Sequence, residues 1–178
     1  MKKILLISIG CFLFSFPTFS QKVGIRTNLL YLATTNLNLG IDVGLGYRTS
    51  FEVSGVYNPF RFGDNKKIEN WGVQPEFRIW TCERYNGHFF GIHAHYDNYD
   101  MGWKKYRYDG WLAGGGISYG YSWIIGKRWN LEAELGVGYA YMDYDKYFRE
   151  QQGKPIMNKT RNYIGPTKVG LSFIWFIK

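Results

Sequence analysis

Taken at alternate positions, residues 110–144 fall into two rows. Trp111, Ala113, Gly115, Ile117, Tyr119, Tyr121 and Trp123 make one row of the first half, and Leu112, Gly114, Gly116, Ser118, Gly120 and Ser122 the other. Beyond Gly126-Lys127-Arg128 the alternation resumes, with Trp129, Leu131, Ala133, Leu135, Val137, Tyr139 and Tyr141 opposite Asn130, Glu132, Glu134, Gly136 and Gly138. Successive strand side chains point to opposite faces, so the pattern predicts a long hairpin with one apolar face and one small or polar face. The same period recurs along the chain and predicts strands over 23–33, 37–47, 50–58, 71–80, 89–96, 111–124, 129–141 and 163–177. Pro75 interrupts the fourth, where a bulge or a locally weakened ladder is expected.

Length and aromatic placement decide what such strands are for. They exceed the usual five or six residues of globular strands, and a bilayer-spanning strand needs about nine to eleven, with amphipathic aromatics at its two interfaces. Tyr31, Tyr57, Trp71, Trp111, Trp123, Trp129, Tyr139, Tyr141 and Trp175 sit at the ends of the apolar rows and form the expected aromatic girdles. No Lys, Arg or Glu falls in the middle of an outward row. Lipid offers no partner for strand edges, so the hairpins must close on themselves. The expected fold is all-β, an eight-stranded antiparallel transmembrane β-barrel. Connections after strands two, four and six are tight and those over 59–70, 97–109 and 145–161 are long and polar; the link after strand one, short where a long one is expected, breaks the contrast. Short turns face the periplasm and long loops the outside in such barrels. Both termini are therefore expected in the periplasm of a Gram-negative cell, with the protein in its outer membrane.

The first residues add a compartment. Met1-Lys2-Lys3, an apolar run to Phe14 and a small-residue end at Ser20 read as a cleavable signal peptide over residues 1–20, leaving one domain over 21–178. An alternative, acylation at Cys11, lacks the usual aliphatic residue three positions earlier. Cys82 alone survives cleavage, which excludes an intramolecular disulfide. Losing Lys2 and Lys3 lowers the formal charge from +8 to +6. In an exported chain that balance points to outer-membrane lipid headgroups or surface polysaccharide, and no nucleic-acid motif is present.

The inward rows carry the candidate chemistry. Arg26, Asp42, Glu52, Glu76, Arg78, Glu132, Glu134 and Lys168 would face the interior. An eight-stranded barrel is just wide enough for side chains to fill, so these nearly offsetting charges read as a paired plug rather than an ion path. Residues 46–53 and 126–133 echo each other in turn and in the placement of Glu52 and Glu132. His93 and His95 share one face and are the candidates for a catalytic base, but no hydroxyl nucleophile is visibly paired with them, and a zinc site needs more ligands than these two. No cofactor or metal is expected. Lys66, Lys67, Trp103, Lys104, Lys105, Arg107 and Arg149 enrich the long loops in the residue types that dominate binding hot spots, which suits a protein or glycan partner.

Several runs together resemble the outer-membrane family catalogued as domain of unknown function 3575: Thr27-Asn28-Leu29-Leu30-Tyr31, Tyr57-Asn58-Pro59-Phe60, Gln74-Pro75-Glu76-Phe77-Arg78, Asn86-Gly87-His88-Phe89-Phe90-Gly91, Gly126-Lys127-Arg128-Trp129-Asn130-Leu131-Glu132 and Gly165-Pro166-Thr167-Lys168. The resemblance covers nearly all of 21–178. It implies an outer-membrane barrel and brings no assigned activity, catalytic residue or cofactor. Some relatives are encoded beside fimbrial adhesin genes, which points toward surface assembly. The expectation is therefore a non-enzymatic surface scaffold or interaction protein, delivered by the outer-membrane insertion machinery. A lipid- or lipopolysaccharide-modifying enzyme and a narrow channel are the alternatives.

Overall fold

The computed structural model describes residues 22–59, 61–62, 66–103, 106–148 and 157–177; the expected signal peptide lies outside them. Eight strands carry the fold: β1 (Val23–Asn28), β2 (Leu37–Gly44), β3 (Thr49–Asn58), β4 (Lys66–Trp80), β5 (Gly87–Trp103), β6 (Tyr106–Gly126), β7 (Trp129–Phe148) and β8 (Met157–Phe176). A two-residue strand, Arg61–Phe62, pairs with Lys66 and Lys67 at the tip of β4. Each strand pairs antiparallel with its sequence neighbours, and β8 returns to β1, so the sheet is a closed ring. Closure leaves no open edge along the paired stretch.

The interior and exterior are inverted relative to a water-soluble protein. Arg26, Asp42, Glu52, Glu76, Arg78, Glu132 and Glu134 are buried, while Leu39, Ile92, Ile117 and Leu135 on the outward rows are each more than 60% exposed. The register produces this directly. Asp42↔Glu52 and Glu52↔Glu76 place three carboxylates on one face, and Ile41↔Val53 and Val53↔Pro75 place their neighbours on the other. A one-residue slip would exchange the two sets.

The inner end is closed by an aromatic cluster of Trp80, Tyr85, Phe89, Ile174 and Phe176. Tyr85 reaches it from the turn after β4 through a positive φ of 65°, and its hydroxyl donates to Asp42 Oδ1 at 3.0 Å. Trp80 Nε1 donates to Ser50 Oγ at 3.1 Å, so each ring's polar atom is satisfied.

Two expectations change. β1 ends at Asn28 rather than running to Ala33. Residues Leu29–Ala33 form a short helix, α1, capped by Asn28 Oδ1 accepting from Leu30 N at 3.0 Å. Tyr31 therefore leaves the girdle: it turns inward over the mouth of the ring, while Leu29, Leu30 and Leu32 stay exposed. The long loops are mostly strand, because pairing over Tyr99↔Gly110 and Tyr144↔Lys159 continues the ladders outward. Lys66, Lys67 and Trp103 consequently lie at strand positions and Arg107 in β6, whereas Lys104, Lys105 and Arg149 lie outside the described residues. The register at Pro75 is unshifted: Val73↔Tyr96 and Glu76↔His93 keep one alignment with Gln74 and Pro75 unpaired toward β5, the weakened ladder of the two outcomes expected. Register shifts occur elsewhere: in β8, where Gly136↔Lys168 is followed by Val137↔Pro166 and Thr167 is the extra residue, and in β6, where Ile124↔Asn130 is followed by Gly126↔Trp129.

Candidate functional site

Two features qualify as sites: the filled interior and the tall wall beyond it. Arg26 Nη1 donates to Glu52 Oε2 at 2.7 Å and Nη2 to Glu132 Oε1 at 2.6 Å. The two glutamates that echo each other in sequence thus hold the same guanidinium. Arg78 is the hub. It donates through Nε to Glu76 at 2.7 Å, through Nη1 to Asp42 at 3.1 Å and through Nη2 to Glu134 at 2.9 Å; Glu132 lies 3.1 Å from Nη1, and Glu52 also pairs with it. Planar forked donors suit such multiple carboxylate contacts. Lys168 Nζ reaches Glu76 at 2.5 Å and both Glu52 and Glu134 at 3.3 Å.

All eight sequence-predicted network residues therefore meet, and the expected near-balance of sign does not hold. Five carboxylates face three cations, and Glu132 Oε2 and Glu134 Oε1 are buried without a hydrogen-bond partner. The Glu52, Glu76 and Glu134 ligand oxygens lie within 4.8 Å of one another, a spacing that could hold a metal ion. Lys168 is bonded to the same three carboxylates, so its ammonium supplies the charge a metal would bring.

Above the network a cavity of about 60 Å³ opens toward the outer mouth, lined by Tyr31, Gln74, His95, Asp97, Glu134 and Thr167 among others. That is room for a few water-sized groups. His93 Nε2 lies 2.9 Å from Thr167 Oγ1, a hydroxyl–imidazole pair that sequence reasoning missed because the bulge turns both Thr167 and Lys168 inward. His93 Nδ1 and His95 Nδ1 have no partner, so the third group that would orient a base is missing from the described side chains. Ser118 Oγ instead donates to Glu76 Oε1. Gly136 and Gly114 make room for the imidazoles: a Cβ there would stand 2.9 Å from His93 Cε1 and from His95 Nε2.

The outward aromatics fall into two rows. Trp71, Tyr96, Trp111 and Tyr141 run across four adjacent strands with successive ring centroids 5.7, 6.1 and 5.8 Å apart. Trp129 stacks on Phe173 at 4.8 Å and lies 6.0 Å from Trp175, and Trp123 lies 4.9 Å from Tyr121, near the opposite end. Tyr57 pairs with Trp71 across β3 and β4, and the Tyr139 hydroxyl donates to Asn162 Oδ1. From Trp111 to Trp123 the path is about 40 Å at roughly 3.3 Å per residue, or about 28 Å of height at a tilt near 45°.

Past the Trp111 row the outward parity turns polar and the inward parity gains aromatic and thioether side chains beside its cations. The outward parity becomes Asp100, Arg107, Asp109, Asp143, Asp145 and Asn158, with Arg107 gripping Asp100 through two bonds of 2.7 Å; Asp100 raises the Arg107 pKa above its ordinary value. The inward parity becomes Tyr99, Met101, Tyr108, Met142 and Tyr144 together with Lys146, Lys159 and Arg161, partners through Tyr99↔Gly110↔Tyr144 and Met142↔Arg161. No helix among the described residues is long and apolar enough to cross a membrane, which leaves crossing by strands open.

The model of the family described as "Protein of unknown function (DUF3575)" matches residues 4–177, nearly the whole chain, and the chain belongs to that family. No curated protein and no solved structure matches it.

Proposed function

From that membership, we propose that the chain is a non-enzymatic outer-membrane β-barrel that acts at the cell surface through the wall standing beyond its outer aromatic row. One observation carries the membrane part: a closed ring whose exterior, between two aromatic rows about 28 Å apart by strand geometry, is apolar, and whose interior is charged and polar. A soluble protein rarely exposes so continuous an apolar surface, and a band of about 25 Å flanked by aromatics is the pattern of barrels in lipid. Both termini and the tight turns then face the periplasm. The exposed leucines of α1 rest in the headgroup boundary with Tyr31 directed into the mouth.

The filled inner end and the 60 Å³ cavity favour a scaffold over a channel. The His93–Thr167 pair is the specific observation behind the second reading, a lipid-modifying enzyme. That reading needs a substrate to reach a cavity roofed by Tyr31.

Purified protein in detergent is expected to migrate differently on gels with and without boiling and to show β-type circular dichroism. Absence of both sinks the barrel. Replacing His93 and His95 by Ala is expected to leave cell-envelope lipid composition unchanged; loss of a lipid product with folding preserved would select the enzyme.

A further inference from the structure

The wall beyond the outer row is unequal around the ring. β1 stops at Asn28↔Ser172 and β2 starts at Leu37, whereas β5, β6, β7 and β8 continue well past that level. Among the described residues, β1, β2 and β3 do not rise past the outer row opposite the inner-parity face of this wall. At its margin the Asn28 side chain takes the place of one more strand residue: Nδ2 donates to Val169 O at 3.1 Å and Oδ1 accepts from Leu171 N at 3.3 Å. Past Asn28, α1 lies alongside β8, and beyond it no strand among the described residues pairs with that side of β8.

We propose that this face and the β8 margin dock an extended, acidic polypeptide segment of a partner protein, a reading that deepens the surface role proposed above and rests on it. Three features select that occupant. Tyr144 and Met142 lie beside Lys159 and Arg161 on the same face through Tyr144↔Lys159 and Met142↔Arg161, and Lys159 and Arg161 are exposed. Tyr, Met and Arg are the residue types enriched in protein interfaces, and flexible thioethers adapt to apolar side chains, of which a sugar offers none. An unpaired strand margin gives main-chain hydrogen bonds to an extended segment, with alternate side chains falling on the adjoining face. The two cations favour acidic side chains in that segment. They also oppose a second copy, because antiparallel pairing of two β8 margins would bring Lys159 and Arg161 against their own kind.

The test uses the full mature chain in lipid nanodiscs, probed with a random 12-residue peptide display library and with alginate as a carboxylated polysaccharide. The expected result is enrichment of peptides with a clear excess of Asp and Glu alternating with apolar residues. Their binding should weaken at least tenfold on Lys159→Glu with Arg161→Glu and on Met142→Ser, and stay unchanged on Thr160→Ala, which lies on the outward parity. Neutral or basic peptides, retention on the charge-reversed variant, or saturable binding of alginate alone would each overturn the proposal. Heat-modifiable migration of the same variants separates the two claims. If it persists while peptide binding fails, the barrel stands and the docking surface falls; if the unsubstituted chain lacks it, the barrel reading itself has failed.

Discussion

Below and above the row of Trp71, Tyr96, Trp111 and Tyr141, the same strands obey different rules. Below it, Ile117 and Leu135 point outward and Glu134 and Ser118 inward. Above it, Asp109 and Asp143 point outward and Tyr108 and Tyr144 inward. No turn or bulge in β6 causes the change, since its partners with β7 remain in one register from Tyr106↔Phe148 to Ile124↔Asn130. The backbone is continuous and only the side-chain chemistry changes. The membrane placement proposed above predicts this change, with lipid around the lower part of each strand and water around the upper. The ordering of the interior follows, because a ring with an apolar exterior must place its polar side chains inside and pair them there.

Breaking the lower interior is expected to have the largest effect. Arg78→Ala removes the partner of five buried carboxylates and should cost about 3–5 kcal/mol, the range for a buried ion left alone. Arg107→Ala, in the upper wall where Arg107 is 43% exposed, should cost no more than about 1 kcal/mol. Urea unfolding in lipid vesicles measures both, and equal costs would remove the distinction between the two regions.

A charge placed on the outward parity gives a second contrast. Leu135→Arg lies mid-belt and should destabilise by about 2–4 kcal/mol. Thr160→Arg lies outward above the row and should stay within about 0.5 kcal/mol. Folding yield into vesicles ranks the pair, and a penalty at Thr160 as large as that at Leu135 would place the boundary farther out.

The last contrast lies at the boundary itself and is read in accessibility rather than stability. Tyr31→Ala should leave folding within about 1–2 kcal/mol of the unsubstituted chain while opening the cavity mouth. A Thr167→Cys probe should then react faster with a water-soluble maleimide. An unchanged rate would mean that Tyr31 does not close the mouth.

The rows and their inward charges were legible because period-two alternation encodes a face directly, and Arg26, Asp42 and Glu52 needed only parity to be placed. Tyr31 was misassigned since Leu29, Tyr31 and Ala33 continue that period by coincidence. Asn28 before Leu-Leu-Tyr-Leu-Ala was the available signal, a capping residue followed by strong helix formers. The wall was hidden for a related reason: 97–109 and 145–161 carry charged residues on both parities, so a search for apolar outward rows passes over them as loops. Parity could not foresee Thr167 facing inward beside Lys168, because a bulge breaks the alternation on which the reasoning depends. Tyr85 and Phe176 close the inner end through contacts between distant segments, which no local pattern carries.

The change of polarity is tested most directly by position-specific quenching in bilayers. With the free Cys82 replaced by Ser, single cysteines at outward Ile117, Leu135, Asn158 and Thr160 are labelled with a small fluorophore in vesicles. Lipid-chain quenchers should extinguish the probes at Ile117 and Leu135, and a water-soluble quencher those at Asn158 and Thr160. Aqueous quenching at all four positions, in folded and vesicle-bound protein, would contradict the account.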